Sequence, residues 1–434
     1  MNTNYFSELP LPIAIVGLGV TGAAIYELLL IAGISKESLL TFDEHSHNAQ
    51  FKTGETLIDI GKPKTLIVSP GVPLSSPWIL KAKNDGIFIT SELSLANRFL
   101  TSERVIAITG SVGKSTTTCL LRAALEKFCP SYFVGGNLGI PLARYVIELL
   151  QNQREIAEWI VLELSSYQLE NYPELKAEFS SVTYLTSNHL ERYPDKEAYY
   201  ETKWILQKYT SKYLILNQNG GELKDWLQSK SQSVPWKWVD RNIGLMNQYH
   251  LKDCQLLGSH NLDNIALAAE IVNLAEWPTI AYEGLRSFRG LPHRVENLGT
   301  AKGIRFINDS KATTIESVKT ALTSTLESIP PNNILHLLIG GKDKNLPWND
   351  LGFLKNNNQI KLYFFGDCKS VAQSKSGLKG PLFSTMLESC STALSNAKPG
   401  DTILLSPGGT SFDEFKNFEH RGEVFKTFVE KLSP

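Results

Sequence analysis

The chain has 434 residues, with 43 Lys and Arg against 44 Asp and Glu, which gives a formal net charge of −1. A chain of this length exceeds what one hydrophobic core usually organises, so we expect two or three domains. The balanced charge excludes the basic field of a general nucleic-acid-binding protein, and an anionic ligand must therefore be held by local features. Hydrophobic residues make up 42% and charged residues 20%, which excludes a disordered or fibrous chain.

The 5 cysteines lie far apart and never form a CxxC pair. The sequence therefore predicts neither a disulfide framework nor a zinc site, and a reducing, cytoplasmic location fits best. The apolar stretch 11–34 has the length of a membrane helix, but it contains several glycines and Glu27, and no basic segment precedes it. We interpret it as a buried strand followed by a helix and expect no membrane insertion.

Apolar runs of strand length alternate with longer helical patterns, which is typical of parallel α/β sheets with helices on both faces. The predicted strands, too many for one sheet, are residues 13–16, 39–42, 65–68, 105–109, 159–164, 181–185, 213–216, 304–307, 335–339, 361–365 and 402–405. Breaks near residues 101–104 and 290–294 divide the chain into three predicted α/β domains, 1–100, 101–290 and 291–434.

The first glycine motif is Gly17-Leu18-Gly19-Val20-Thr21-Gly22, which follows the predicted strand 13–16 and opens a helix. Asp43 ends the next strand, about 20 residues further on, as in the dinucleotide-binding fingerprint. Backbone amides at such a turn favour a diphosphate but do not select nicotinamide, so NAD(P), another nucleotide and a ligand-free turn all remain open. The segment Ser69-Pro70-Gly71 ends a later strand and could border the same crevice.

The second glycine motif runs from Thr109 to Thr116 between a strand and a helix. Its backbone amides can cradle phosphates, Lys114 can reach the β and γ phosphates of ATP, and Ser115 can bind Mg²⁺. The usual first glycine would fall at Ile108, so the loop is a shortened variant. A diphosphate cradle together with an ATP cradle favours a kinase or ligase that acts on a nucleotide-linked substrate.

Four segments resemble the Mur ligases, the family that joins amino acids to the peptidoglycan precursor: Ala107–Thr117, Gly136–Pro141, Leu162–Glu170 and Asn308–Thr313. The last three are most similar to the branch that adds D-glutamate, and the resemblance extends from Gly17 to about Phe428. It implies three domains: a Rossmann-like UDP-binding domain, a central P-loop ATPase-type domain and a Rossmann-like domain that brings D-glutamate. It also implies that the Gly17 motif holds UDP and no redox cofactor.

The implied reaction is ATP-dependent addition of D-glutamate to UDP-N-acetylmuramoyl-L-alanine through an acyl phosphate and a tetrahedral intermediate. The resemblance implies two Mg²⁺ sites, with catalytic roles for Lys114, Glu163, His189 and Lys203. The metal ligands would be Ser115, Glu163, His189 and Lys203 as a CO₂-derived carbamate. Taken alone, a histidine after a strand is more often structural, a helix lysine is ordinarily solvated, and a carboxylate ending an apolar run is costly unless paired or metal-bound.

The remaining site residues also follow from the resemblance. Those assigned to ATP are Gly110, Ser111, Gly113, Lys114, Ser115, Thr116, Asn264, Arg294 and Asp309. Those assigned to the UDP substrate are Gly19, Val20, Thr21, Asp43, Ser69, Pro70, Gly71, Asn137 and Gly139. Those assigned to D-glutamate are Lys311, Thr313, Lys344, Ser411, Phe412 and Phe418. Helix capping is the alternative for Asn264, and core packing is the alternative for the two phenylalanines.

Several positions depart from the family pattern. They are Val112 in the ATP loop, Asn188 beside His189, Thr314 after the Ser-Lys-Ala-Thr run, Asn345 after Lys344, and Glu44 and His45 near the uracil position. None removes a group that the chemistry requires, so we expect altered affinity and not lost activity.

Other functions remain open from the sequence. They are a different Mur-type or folylpolyglutamate-synthase-type ligase, an NAD-dependent dehydrogenase and a non-catalytic binding protein. A folate enzyme should lack the Gly17 cradle and the run Ser165–Glu170, both present here, and a dehydrogenase should not need Lys114. We expect small-molecule substrates, no nucleic acid and a monomer.

Overall fold

The computed structural model describes residues 6, 8–44, 46, 48–52, 61–171, 175–187, 192–254, 256 and 258–432. The strands are β1 Ile13–Val16, β2 Leu39–Phe42, β3 Thr65–Val68, β4 Phe88–Thr90, β5 Arg104–Thr109, β6 Tyr132–Gly136, β7 Trp159–Glu163, β8 Ala177–Val182, β9 Thr210–Asn217, β10 Trp236–Val239, β11 Glu296–Ala301, β12 Ile304–Asn308, β13 Leu335–Gly340, β14 Ile360–Phe365, β15 Leu382–Phe383 and β16 Thr402–Gly408.

The α-helices are α1 Val20–Ile31, α2 Pro77–Asn84, α3 Glu92–Asn97, α4 Lys114–Leu125, α5 Leu142–Leu150, α6 Ser166–Glu170, α7 Lys196–Trp204, α8 Leu223–Trp226, α9 Gly244–Gln248, α10 His260–Leu274, α11 Ile280–Ser287, α12 Ile315–Leu326, α13 Lys369–Ser376, α14 Met386–Asn396 and α15 Phe418–Glu430. Short 3-10 helices cover Lys36–Ser38, Ile205–Tyr209, Leu227–Ser229, Leu251–Asp253 and Trp348–Asn356.

The first sheet has the strand order β2-β1-β3-β4 and is wholly parallel. All residues of β1 and β3 are buried, as expected for central strands covered on both faces. The order reverses between β1 and β3, so the crevice at their carboxyl ends is where such sheets bind ligands.

The second sheet has the order β10-β9-β8-β5-β7-β6 and is also parallel. Strand β5 lies between β7 and β8, so the loop that follows β5 meets the carboxyl ends of both neighbours. The third sheet has the order β11-β12-β16-β13-β14-β15, in which β11 is antiparallel to β12 and the other pairs are parallel. The predicted α/β class is confirmed.

The chain divides into two compact units. The first runs as far as Leu251 and includes Asp263–Leu285, and it holds the first two sheets; the second holds Lys252–Leu262 and the chain from Arg286 onward. The first two sheets share one hydrophobic core, to which α1 contributes Leu28 and α5 contributes Val146. The division into three domains at residues 101 and 291 stays a prediction.

The apolar stretch 11–34 contains β1 and α1, as predicted. In the described ranges no helix combines the length and apolar character needed to cross a membrane.

The predicted strand 181–185 is wrong in its bounds, because the strand is Ala177–Val182. Beyond it the Thr183 hydroxyl donates to the carbonyl of Thr109 at 3.2 Å, and Leu185 forms an isolated bridge with Gly221. The chain therefore leaves the sheet at Thr183 to contact the phosphate loop.

Candidate active site

A cavity of about 620 Å³ opens at the crevice of the first sheet. Its walls include every residue assigned to the UDP substrate: Gly19, Val20, Thr21, Asp43, Ser69, Pro70, Gly71, Asn137 and Gly139. Glu44 lines it as well, whereas His45 lies outside the described residues. The structure thus brings these predicted residues together, and their binding roles stay predictions.

The first glycine turn is held tightly from two sides. Gly17 has a φ of +86°, and a Cβ at Gly22 would lie 1.8 Å from the Gly17 carbonyl oxygen, so both positions require glycine. The Ser69 hydroxyl donates to the same carbonyl at 2.7 Å, and Asp43 Oδ2 accepts from the Leu18 amide at 2.6 Å. Asp43 therefore braces the turn in addition to lining the cavity.

Helix α1 begins at this turn with Gly19 as its N-cap, and neither a capping side chain nor an acidic residue occupies its first turn. The amide groups at the start of α1 and the helix dipole favour an anion such as a diphosphate.

The second glycine motif joins β5 to α4, as predicted for a phosphate-binding loop. Lys114 Nζ donates to the carbonyls of Gly110 at 2.8 Å and Ser111 at 3.2 Å, so the lysine folds back over the loop. Ser115 and Thr116, the next residues of α4, are half-buried. Val112 is 53% exposed, so its side chain leaves the backbone of the loop undisturbed.

Asn264 lies against this loop from α10. It is buried, its Oδ1 accepts from the Thr117 hydroxyl at 3.4 Å, and a Cβ at Gly113 would lie 2.5 Å from it. The capping alternative does not describe these contacts, since Asn264 lies inside α10 and packs on the start of α4.

Glu163 ends β7 beside the loop that follows β6. It is 2% exposed, its Oε1 accepts from Asn137 Nδ2 at 2.7 Å, and its Oε2 is buried with no hydrogen-bond partner. A buried carboxylate oxygen without a hydrogen-bond partner is costly, and such an oxygen is a suitable ligand for a hard cation. Together with the Ser115 hydroxyl, the donor set fits Mg²⁺.

Lys203 lies in the last turn of α7 and is 2% exposed, which overturns the ordinary expectation of a solvated helix lysine. Burial and the positive charge of Lys114 lower its pKa well below the usual range, while Glu163 acts in the opposite direction. Its Nζ lies 4.6 Å from the centroid of the Tyr199 ring. Burial thus favours the neutral amine, the form that can react with CO₂.

His189 and Asn188 lie outside the described residues, so the fourth predicted metal ligand has no structural description. No cluster of three or more His, Cys, Asp or Glu side chains that could hold a metal occurs in the described parts of the chain.

In the second unit, Arg294 lies in a turn with strained backbone. Its neighbours His293 and Val295 have φ values of +62° and +45°, and the latter is unusual for a β-branched residue. Asp309 holds this turn, because its Oδ1 accepts from the Val295 amide at 3.2 Å while its Oδ2 accepts from the Ser406 hydroxyl at 2.7 Å. Burial raises the pKa of Asp309 to about 7.

The residues assigned to D-glutamate lie in the second unit, on loops except for Phe418, which begins α15. Lys311 Nζ lies 5.5 Å from the Phe418 ring centroid, Thr313 is half-buried and Ser411 is buried. Phe412 is 67% exposed, so core packing does not explain it. Lys344 is exposed on the loop after β13, and Asn345 beside it has a φ of +62°, a left-handed conformation that asparagine tolerates. Thr314 caps α12 by accepting from the Ser317 amide.

Arg421 is a residue that sequence reasoning missed. It is fully buried in α15, and it donates to Ser310 Oγ at 3.0 Å, to the Ser310 carbonyl at 2.8 Å and to the carbonyls of Gly409 and Thr410 at 3.2 Å. It therefore ties the loop that carries Lys311 to the loop that carries Ser411. The local sequence does not indicate this role, because Arg421 is simply a charged residue near the start of a helix.

The family model of the Mur ligase middle domain matches residues 108–272. The chain is 31% identical over its whole length to the UDP-N-acetylmuramoylalanine–D-glutamate ligase of Buchnera aphidicola, covering 100% of both chains. It is 31% identical to the enzyme of that name from Fervidobacterium nodosum (96% of this chain, 99% of the relative) and 30% identical to that of Yersinia pseudotuberculosis (97% and 98%).

Among solved structures, the fold is similar to UDP-N-acetylmuramate-alanine ligase MurC from Thermotoga maritima, with a TM-score of 0.55 at 16% identity (97% of this chain, 99% of that chain). MurF ligase from the same organism, solved in complex with ADP, gives a TM-score of 0.55 at 16% identity (98% and 97%). These findings set aside the dehydrogenase alternative. The chain belongs to the Mur ligase family of ATP-dependent ligases, within its UDP-N-acetylmuramoylalanine–D-glutamate ligase (MurD) branch.

Proposed function

We propose that the protein adds D-glutamate to UDP-N-acetylmuramoyl-L-alanine at the expense of ATP, in the assembly of the peptidoglycan precursor in the cytoplasm. One observation carries the proposal: Asn137, which lines the cavity, donates a 2.7 Å hydrogen bond to Glu163, and Glu163 pairs in the sheet with Ile108, directly before the phosphate loop. A nucleotide-linked carboxylate and a triphosphate can thus be bound by one compact unit.

The two anionic reactants need different cradles. The amide groups at the start of α1 bind the diphosphate of the UDP substrate, while the loop Gly110–Gly113 and Lys114 bind the phosphates of ATP. Lys114, already directed at the loop by its contacts with Gly110 and Ser111, neutralises the phosphate charge as the alanyl carboxylate attacks the γ phosphorus. An acyl phosphate forms and ADP leaves.

D-Glutamate has two carboxylates and one amine. Lys311 and Lys344 pair with the carboxylates, Thr313 and Ser411 donate hydrogen bonds, and Phe412 and Phe418 wall the binding site. The amine attacks the acyl carbon, a tetrahedral intermediate forms, and phosphate leaves as the amide bond is completed. Asn264, Arg294 and Asp309 serve ATP, the last by holding the strained turn that presents Arg294.

Glu163, Ser115 and His189 would hold Mg²⁺ at two sites, with Lys203 as a carbamate completing the ligand set. Bound Mg²⁺ supplies positive charge that offsets the repulsion between carboxylate and polyphosphate. The buried Oε2 of Glu163 supports this assignment, as does the burial of Lys203 beside Lys114. We expect the active species to be a monomer.

The test measures phosphate release from ATP with UDP-N-acetylmuramoyl-L-alanine and D-glutamate, or with L-glutamate, meso-diaminopimelate or D-alanine in its place. We expect phosphate release only when the amino acid supplied with the UDP substrate is D-glutamate. Release that does not depend on D-glutamate, or that prefers another amino acid, would contradict the substrate assignment.

A matched pair of lysine variants tests the phosphate loop. Lys114→Ala should abolish turnover and leave binding of the UDP substrate intact. The exposed Lys127, just beyond α4, gives the control, since Lys127→Ala should retain full activity. Full activity in Lys114→Ala would contradict the role of the loop.

A further inference from the structure

Arg192 reaches from the chain before α7 to the loop that follows β3 in the first sheet. Its Nη2 donates to the carbonyls of Val72 at 3.1 Å and Pro70 at 3.4 Å, and its Nη1 approaches the carbonyl of Gly71 at 3.5 Å. The three acceptors are consecutive in the chain, and the guanidinium side chain is only 7% exposed. One arginine thus spans an entire loop turn.

The guanidinium is also fixed from its own side. Glu170 Oε2 accepts from Nη2 at 2.7 Å and from Nε at 3.1 Å, and the Tyr167 ring centroid lies 4.5 Å from the guanidinium carbon. Both partners belong to α6, the helix that follows β7 of the second sheet. A planar fork held in this way loses little side-chain entropy when it binds the loop, unlike an exposed surface pair.

The loop held by Arg192 is a wall of the cavity at the first glycine turn. Pro70, Gly71 and Val72 line this cavity, and Ser69 just before them donates its hydroxyl to the Gly17 carbonyl at 2.7 Å. The contacts therefore run without interruption from Arg192 through the loop to the glycine turn. The cavity is also lined by Asn137, which follows β6 of the second sheet, and by Gln168 in α6.

We propose that Arg192 is a positioning residue for the UDP-linked substrate, which holds the loop 70–72 and so fixes the width of the cavity between the two sheets. Arg192 does not line the cavity and acts through the loop carbonyls. The inference rests on the proposed function only in naming UDP as the ligand, and it concerns affinity for that ligand and not the chemical steps.

The variant Arg192→Lys tests this role because it keeps the charge that pairs with Glu170 but loses the fork that spans three carbonyls. We expect the Kd for UDP, measured by calorimetry, and the KM for UDP-N-acetylmuramoyl-L-alanine to rise about tenfold, the equivalent of one charge-assisted hydrogen bond. The kcat and the KM values for ATP and D-glutamate should stay close to those of the wild type.

Arg154→Lys is the matched control. Arg154 also pairs with a glutamate, Glu148 at 3.0 Å, donates to a backbone carbonyl, that of Tyr132 at 2.7 Å, and lies over the Tyr145 ring at 4.7 Å, but it does not touch the cavity loop. Arg154→Lys should lower the melting temperature about as much as Arg192→Lys does, without changing the Kd for UDP.

An unchanged Kd for UDP in folded Arg192→Lys would overturn the proposal, as would an equal rise in Arg154→Lys. If Arg192→Lys does not fold, Glu170→Gln gives the second test, and it should raise the Kd for UDP by a smaller factor; no rise refutes the positioning role. Failure of the proposed function is distinguishable, because wild-type protein that binds UDP but does not consume D-glutamate contradicts the activity and leaves the UDP-binding comparison intact.

Discussion

Asn137 Nδ2 donates a 2.7 Å hydrogen bond to Oε1 of Glu163, and the backbone amide of Asn137 donates to the Glu163 carbonyl at 2.8 Å. The loop after β6 is thereby held against the end of β7 by both backbone and side chain. One carboxylate oxygen is fixed and the other, Oε2, stays buried without a partner. Because Asn137 also lines the cavity, the amide connects the UDP cavity to the proposed metal ligand.

The first prediction concerns this amide. Asn137→Ala should raise both the Mg²⁺ concentration needed for half-maximal activity and the KM for the UDP substrate, each about tenfold, because a charge-assisted hydrogen bond that orients Glu163 is lost. Rates measured over a Mg²⁺ titration check this. Asn273→Ala is the control, since Asn273 makes a similar contact with Glu270 at 3.5 Å on α10. A variant with an unchanged Mg²⁺ requirement would show that Glu163 needs no orienting partner.

The second prediction is a trade of activity for stability at Lys203. Lys203→Met should abolish turnover but raise the melting temperature in CO₂-free buffer, because the wild type must bury an amine beside Lys114. The folded pKa lies below the unfolded value, so the unfolded chain binds more protons and the penalty grows as the pH falls. The gain in melting temperature should therefore be larger at about pH 6 than at about pH 9.

Lys196→Met in the same helix is the matched control for Lys203→Met. Lys196 is exposed and pairs with Glu222 at 2.6 Å, so its replacement should neither stabilise the protein nor reduce activity. Retained activity in Lys203→Met would remove Lys203 from the catalytic set.

Every strand that the sequence missed lies at an edge of its sheet, and β2 is the one edge strand that it predicted. The missed strands β4, β6, β10, β11 and β15 each end one side of a sheet. An edge strand is covered by fewer neighbours and keeps polar residues or glycines, as in the Tyr-Phe-Val-Gly-Gly of β6. The continuous apolar runs on which the prediction depended are therefore absent there.

The site shows a similar division. Residues that lie in glycine motifs or next to a strand end, such as Lys114 and Glu163, could be found from the sequence because their neighbours repeat a known physical arrangement. Arg192 and Arg421 could not, because Arg192 acts on the carbonyl of Val72, 120 residues away, and Arg421 acts on the carbonyl of Ser310, 111 residues away. Every residue has a backbone carbonyl, so the amino-acid sequence does not show which carbonyls accept these hydrogen bonds.

The third prediction concerns pH and Glu92, which is buried in α3 and accepts a hydrogen bond from the Ala143 amide at the start of α5. Burial raises the pKa of Glu92 to about 7, and the Ala143 amide opposes the shift. The folded protein thus binds a proton that the unfolded chain releases, so stability falls as the pH rises from the unfolded value of 4.5 towards 7 and is then constant.

Glu92→Gln removes this titration and keeps an oxygen that can accept from Ala143. It should stabilise the protein above about pH 7, by an amount of the order of 3 kcal/mol, and have little effect near pH 5. Melting temperatures measured across this range check it, with Glu155→Gln in an exposed loop as the control. Equal effects at both pH values would contradict the assignment of the titration to Glu92.

The fourth prediction concerns Arg421, whose guanidinium joins two loops of the second unit. Burial lowers its pKa to about 10, while Asp413 and other nearby acidic groups act in the opposite direction, so the guanidinium stays charged at neutral pH. Four oxygens accept hydrogen bonds from it. The lysine side chain in Arg421→Lys cannot contact the Ser310 and Gly409 loops together, so Lys311 and Ser411 should no longer be held in fixed positions relative to each other. We expect the KM for D-glutamate to rise about tenfold while the KM for the UDP substrate stays unchanged.

Arg305→Lys provides the comparison, because Arg305 is also partly buried and donates to Ser328 at 2.9 Å and Thr402 at 3.2 Å, but does not contact either of these loops. If both variants raise the KM for D-glutamate equally, the effect is general loosening of the unit and the specific role of Arg421 is refuted.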